Sequence, residues 1–148
     1  MVAGLGDLNL SLTFAAIGSG LGTGIAGMAA IGAWKKAFAQ NKAAPFILVA
    51  FAGAPLTQTF YGFILRNAIQ QASLPADWNS YILQMIIGIF AGSAIGISAL
   101  MQGKAAARAS DALAETGKGF ANYMMVIGII ETVALFVMLF CMNALPKA

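Results

Sequence analysis

The sequence predicts an all-α membrane protein whose four transmembrane helices form two tandem helical hairpins. Of its 148 residues, 60% are hydrophobic and only 9% are charged, whereas soluble domains average about 45–50% apolar and about 25% charged residues. The charges leave four apolar runs, each longer than the roughly 20 residues that a helix needs to cross the hydrocarbon. A soluble globular protein is therefore excluded. The chain has no histidine and one cysteine. These counts exclude a disulfide scaffold, a zinc site and histidine-based catalysis.

The four apolar runs define four predicted membrane helices, which we call spans 1 to 4. Charge-free runs cover residues 8–34, 43–65 and 78–103, and a fourth run, 119–146, is interrupted only by Glu131. Strands of a membrane barrel would be shorter, about 9–11 residues, with alternating polarity. We interpret residues 1–148 as a single membrane domain, with one hairpin repeat at about 8–72 and a second at about 78–146.

The basic residues predict the orientation of the chain in the cell membrane. Six of them lie in the connections that follow spans 1 and 3: Lys35, Lys36, Lys42, Lys104, Arg108 and Lys118. The opposite side has Arg66 and Lys147. By the positive-inside rule, segments 35–42 and 104–118 are cytoplasmic and both termini are extracytoplasmic. A net charge of +3 is too sparse for a nucleic-acid surface, which needs clustered cations.

Spans 1–2 and 3–4 resemble two copies of one hairpin. Gly32 in the first copy corresponds to Gly103 in the second, and the pair Leu56-Thr57 corresponds to Glu131-Thr132. Both copies have the same orientation, so the repeat is parallel, which argues against transporters built from inverted repeats.

Spans 1 and 3 are rich in glycine. Eight glycines are candidates for close helix packing: Gly18, Gly20, Gly22, Gly24, Gly27, Gly88, Gly92 and Gly96. Glycine costs about 1 kcal/mol in a helix interior, so this many are understandable only where helix backbones approach closely. Glycines on more than one face of span 1 favour a crowded ring built from many copies of the chain. Packing within one four-helix bundle is the alternative.

Glu131 is a candidate functional residue because it lies near the middle of span 4. It is about 12 residues into the run, roughly 18 Å along a helix axis. An acidic side chain at that depth costs about 2.5–3.5 kcal/mol on insertion scales, and such residues are functional by default. The alternative is a protonated glutamate that joins two helices by hydrogen bonds.

Span 2 offers oxygen-bearing partners for this carboxylate. Ala54, Thr57, Gln58 and Tyr61 follow the i, i+3, i+4, i+7 spacing of one helix face. Pro55 lies among them and lacks an N–H, so it should bend the helix and free a backbone carbonyl. The Tyr61 hydroxyl can donate to the carboxylate and fix its rotamer.

Span 3 adds Gln102 to this set, provided that its helix continues through the alanine-rich stretch 104–114. The combined donors are a carboxylate, two amide oxygens, a hydroxyl and a backbone carbonyl, which suit a hard cation. Hydrogen bonding between helices is the alternative role for the glutamines.

In this order, the motifs resemble those of one family, the proteolipid (c-type, or K) subunit of bacterial V-type ATPases, over essentially the whole chain. The resemblance lies in the glycine-repeat span 1, the duplicated hairpin and three motifs: Pro55-Leu56-Thr57-Gln58-Thr59-Phe60-Tyr61-Gly62, Gln102-Gly103-Lys104 and Ile130-Glu131-Thr132. Sodium-pumping members carry Leu-Pro-Gly-Thr-Gln in the second helix, where this chain has Ala54-Pro55-Leu56-Thr57-Gln58.

The resemblance implies an ion-binding set and a site for one ion in each protomer. The ligands would be the Ala54 carbonyl, Thr57, Gln58, Gln102 and Glu131, and Tyr61 would support the carboxylate. The first hairpin has Leu56 where the second has Glu131, which is the pattern of one carboxylate per four helices.

The resemblance also implies partners. They are identical protomers in a ring, a stator membrane subunit with a cationic residue, a central-stalk subunit at the cytoplasmic connections, a soluble head that hydrolyses ATP, and lipid. The chain itself would not be catalytic.

The surplus of oxygen ligands favours Na⁺ as the transported ion, because a proton needs only a carboxylate; a proton-translocating ring is the alternative. A small multidrug transporter or a purely structural four-helix protein would explain less of this pattern.

Overall fold

The structure is a computed structural model that describes residues 6–146. Lys147, one of the residues used to predict the orientation, lies outside the described residues, as does each chain end. The described part contains five α-helices: α1 (Leu10–Ala39), α2 (Leu48–Gly53), α3 (Thr57–Gln71), α4 (Trp78–Thr116) and α5 (Phe120–Ala144). Between α2 and α3 the backbone makes a 3₁₀ turn at Ala54–Leu56.

The helices correspond to the four predicted spans. Four helical segments are long and apolar enough to cross a membrane: Leu10–Ala39, Leu48–Gln71, Trp78–Thr116 and Phe120–Ala144. The second segment comprises α2, the 3₁₀ turn and α3, so its axis is interrupted at Pro55. Among residues 6–146 the structure has no strand. The predicted all-α class with four membrane-spanning helices is therefore confirmed.

Two helices extend further than the apolar runs, which corrects the description of 35–42 as a simple connection. Helix α1 runs through Ala39, and α4 runs through Thr116. The helical stretch 104–114 was expected from its alanine content, because alanine is the best helix former. Helix α4 is capped by Gly117, whose φ of 65° is left-handed and whose N–H donates to the Leu113 carbonyl at 2.8 Å. Such a glycine is a common helix terminator.

Helices α1 and α4 form the most extensive helix pair; α3 packs on both of them, and α5 packs on α4 and α3. Glycine permits the close contact between α1 and α4. A Cβ atom on Gly18 would overlap the backbone of Gly96, and one on Gly22 would overlap the carbonyl of Ala99. A Cβ on Gly103 would in turn overlap the backbone of Gly22. The two helix backbones therefore touch with no side chain between them.

The eight glycines that the sequence suggested for ring packing divide into two groups. Five of them have neighbours within the protomer: Gly18, Gly22, Gly88, Gly92 and Gly96. These five therefore pack inside one four-helix bundle, which is the alternative that the sequence left open. The other three have no neighbouring atom within 4 Å of a Cβ position: Gly20, Gly24 and Gly27. At 3.6 residues per turn they occupy the face of α1 opposite Gly18 and Gly22, and their role in a ring stays a prediction.

Candidate functional site

The candidate site is a polar layer between two apolar clusters of the bundle. One cluster includes Phe51, Ala106 and Ile127, and the other includes Leu65 and Ala134. Along the helices that carry the site, its polar residues fall between these two sets, and the side chains of Gln58 and Gln102 are completely buried. Apolar packing on both sides therefore holds the predicted polar residues at the middle of the bundle.

The first part of the site is formed where Pro55 interrupts the helix. Pro55 has no N–H with which to continue the α-helical ladder, and the backbone tightens into the 3₁₀ turn. Immediately after it, the Thr57 hydroxyl lies 3.1 Å from the Ala54 carbonyl oxygen and 3.2 Å from Gln58 Oε1. Three oxygens thus gather here, each of them able to accept hydrogen bonds or to bind a cation.

The two glutamines join α3 to α4 and α5. Gln58 Nε2 donates to Gln102 Oε1 at 2.7 Å. Gln102 Nε2 donates to the Ile127 carbonyl at 3.1 Å and to Glu131 Oε2 at 3.3 Å. The bonds form a continuous chain from Thr57 to the carboxylate and cross three helices. Connected hydrogen-bond networks of this kind hold their side chains in one arrangement.

Glu131 receives a hydrogen bond on each carboxylate oxygen. The Tyr61 hydroxyl donates to Oε1 at 2.8 Å, and Gln102 donates to Oε2. Glu131 is half-buried, and its neighbours Ile129 and Val133 are among the exposed apolar residues of α5. The carboxylate therefore lies at the edge of the protomer, between α3 and α5, with an apolar surface on either side.

The donor set can bind a hard cation. In the part of the chain that the structure describes, no three histidine, cysteine, aspartate or glutamate side chains cluster. The available ligands are instead neutral oxygens and one carboxylate, which match the preferences of hard, weakly polarising cations and not of soft metals. All six residues that the sequence suggested for binding or supporting an ion meet here: Ala54, Thr57, Gln58, Tyr61, Gln102 and Glu131.

Sequence reasoning missed Ser98, which is also part of this layer. Its hydroxyl donates to the Ile130 carbonyl at 2.8 Å, one residue before Glu131. Ser98 precedes Gln102 by four residues, so both lie on the same face of α4. That spacing was the available signal.

Residues 85–143 match the family model of the ATP synthase C subunit. The matched stretch includes Gln102 and Glu131, and it covers less than half of the chain. No curated protein matches the chain. With four helices long and apolar enough to cross a membrane, the match indicates a multi-pass membrane protein. The family forms oligomeric rings with other subunits, and its members are not catalytic alone. The match, which lies in the second hairpin, therefore supports the interpretation of the chain as a proteolipid subunit of an ion-translocating rotor ring.

Proposed function

We propose that this chain is the rotor subunit of a bacterial V-type ATPase that transports Na⁺. Each protomer binds one ion at Glu131, with Thr57, Gln58, Gln102 and the Ala54 carbonyl as further ligands. Tyr61 holds the carboxylate in place. The transported ion is a substrate of the ring, and ATP is hydrolysed in a separate soluble head.

The observation that carries this proposal is the group of oxygen atoms gathered at the site. Ala54 O, Thr57 Oγ1 and Gln58 Oε1 lie together, and each can bind a cation through a lone pair. A proton carrier needs only the carboxylate, so it would not require this group of oxygens. The ring with H⁺ as its ion is the competing proposal, and it uses the same Glu131.

Charge neutralisation explains how the site could travel past lipid. An uncompensated carboxylate in the hydrocarbon costs at least about 2.5–3.5 kcal/mol, whereas an ion-loaded Glu131 carries no net charge. The exposed apolar residues around it on α5 already suit a lipid environment. A cation in the stator, expected to be arginine, would then pair with the empty carboxylate. Moving one charge against 100 mV requires about 2.3 kcal/mol, which the soluble head supplies.

The proposed orientation places the helix ends near residues 35–42 and 104–118 in the cytoplasm, where a central-stalk subunit would bind. At that end, Lys36 Nζ and Glu115 Oε1 form a salt bridge of 3.1 Å that joins α1 to α4. In this arrangement, α1 and α4 line the inside of the ring, and α3 and α5 face outward with the ion between them.

Carbodiimide labelling of Glu131 in purified rings tests the proposal. At fixed pH, sodium should slow the labelling and choline at equal concentration should not, because a bound ion occupies the carboxylate. Glu131→Gln should abolish the labelling. The matched control Glu115→Gln, an exposed carboxylate of the same chain, should leave both labelling and protection unchanged. If sodium gives no protection while the label still falls on Glu131, the ring transports protons and the sodium proposal is wrong.

A further inference from the structure

The packing of α5 does not by itself determine how this helix is rotated about its axis. Only three of its 25 residues are buried: Ile127, Ala134 and Met138. The rest of its surface is largely apolar and partly or fully exposed. Lipid is as apolar as a leucine side chain, so turning α5 in place changes little hydrophobic free energy. Polar contacts must therefore set its rotation.

Helix α4 supplies two such contacts to the backbone of α5, from residues one turn apart. Ser98 Oγ donates to the Ile130 carbonyl at 2.8 Å, and Gln102 Nε2 donates to the Ile127 carbonyl at 3.1 Å. Both acceptors belong to the α5 backbone in the turn that leads to Glu131. Two donors on one helix that hold two carbonyls on the next prevent the second helix from turning.

The Ser98 bond differs from the usual behaviour of serine in a helix. Ser110, on the same helix, donates to the Ala106 carbonyl four residues before it at 3.0 Å, which is the common local arrangement. Ser98 is also buried, yet its hydroxyl bonds across to α5. This bond connects α4 to the residue that directly precedes Glu131.

We propose that Ser98 is a positioning residue for the ion-carrying carboxylate, a role that rests on the proposed function of Glu131. By holding the Ile130 carbonyl, Ser98 keeps α5 in the rotation that points Glu131 at the Tyr61 hydroxyl, 2.8 Å away. The backbone then stays fixed when the ion enters or leaves, and only the Glu131 side chain has to move. Preorganised supports of this kind lower the cost of binding.

The sodium concentration that half-protects Glu131 from carbodiimide tests this role in assembled rings. Ser98→Ala should raise that concentration about three- to tenfold, the effect of one buried hydrogen bond. Ser98→Thr keeps the hydroxyl and should stay within about twofold of the parent protein. Ser110→Ala is the matched control, because it removes a buried serine that makes no bond to α5, and it should have no effect.

A second measurement separates this inference from the sodium proposal. The phenol C–O stretch of Tyr61, isolated by subtracting the infrared spectrum of Tyr61→Phe, reports its bond to Glu131 in sodium-free buffer. Ser98→Ala should shift this band, while Ser98→Thr and Ser110→Ala should not. If sodium fails to protect the parent protein but the band still shifts, the choice of ion is wrong and the positioning role stands. If the band and the protection in Ser98→Ala equal those in Ser110→Ala, Ser98 has no positioning role.

Discussion

The Ile127 carbonyl accepts a hydrogen bond from Gln102 Nε2 at 3.1 Å, and this contact determines which way both glutamines of the site face. A backbone carbonyl can only accept, so the amide nitrogen of Gln102 must point at it. Gln102 Oε1 then faces α3 and accepts from Gln58 Nε2. Gln58 Oε1 consequently turns toward Thr57. The Ile127 carbonyl on α5 thus sets, through Gln102 on α4, the direction in which the amide oxygen of Gln58 on α3 points.

Replacement of Gln102 by leucine should weaken ion binding strongly. The substitution removes an amide oxygen and the donor to Glu131 Oε2, so the half-protecting sodium concentration should rise about tenfold to a hundredfold, as for a lost bond to a charged group. Gln84→Leu is the matched control, because Gln84 is a second buried glutamine of α4 whose amide donates to the Ile69 carbonyl, away from the site. Equal effects of the two substitutions would show that the loss reflects helix packing and not the ligand.

The Thr57 hydroxyl should contribute to ion binding, whereas that of Thr132 should not. Both hydroxyls donate to the carbonyl three residues earlier, Thr57 to Ala54 at 3.1 Å and Thr132 to Ile129 at 2.7 Å. They occupy corresponding positions of the two hairpin repeats, and only Thr57 lies beside Gln58. Thr57→Val should raise the half-protecting sodium concentration about five- to thirtyfold.

Thr132→Val loses the same local bond on the exposed side of α5, so it serves as the control and should bind sodium like the parent protein. If Thr57→Val and Thr132→Val bind sodium equally well, the Thr57 hydroxyl does not belong to the proposed ligand set.

The sequence contained enough information for the spans and for the residues of the polar layer. Long charge-free runs fix the membrane helices, because the cost of burying a charge in hydrocarbon is large. The same cost marks Glu131, and helical periodicity places Thr57, Gln58 and Tyr61 on one face. The chain of bonds among Gln58, Gln102 and Glu131 shows that these residues from three helices meet, as expected for a third span whose helix continues through 104–114.

Two features could not be predicted in this way, because they depend on contacts between helices. The pattern of glycines in α1 does not reveal that Gly18 and Gly22 face α4 while Gly20 and Gly24 face away. The spacing of Ser98 from Gln102 puts both on one face of α4, but it does not show that the Ser98 hydroxyl bonds across to Ile130 and not within its own helix. Both depend on the crossing of α4 with its neighbours, which apolar periodicity alone leaves undetermined in a bundle surrounded by lipid.

Two glycine-to-alanine substitutions in α1 should separate folding from assembly. Gly18→Ala puts a methyl group into the backbone of Gly96. Because backbone cannot yield as a side chain can, we expect a cost at the upper end of the usual 1–3 kcal/mol for overpacking, about 3 kcal/mol or more. Gly24→Ala meets no atom within 4 Å and gains about 1 kcal/mol of helix propensity, so the protomer should fold normally.

If the open face of α1 packs against a neighbouring protomer, Gly24→Ala should nevertheless reduce the yield of rings. Native mass spectrometry measures ring yield, and circular dichroism during heating measures protomer stability. Normal rings from Gly24→Ala would remove Gly24 from the proposed ring contact, and normal stability of Gly18→Ala would contradict the close approach of α1 and α4.

Asp77 should stabilise the start of α4 in a pH-dependent way. It is the N-cap residue, and its Oδ1 accepts the Ser80 N–H at 2.7 Å. This bond lowers the pKa of the Asp77 carboxyl from its ordinary value of 3.8, so the carboxylate is favoured in the folded state. A group with a lowered pKa contributes its stability above the unfolded pKa, and that contribution is lost as the pH falls through the lower folded pKa. Asp77→Ala should therefore lower the Tm at pH 7, and the difference from the parent protein should shrink at a pH below about 4.

Asp77→Asn, which still caps a helix, should retain most of the Tm without this pH dependence. A constant difference between Asp77→Ala and the parent protein from pH 7 to pH 3 would show that the charge of Asp77 plays no part.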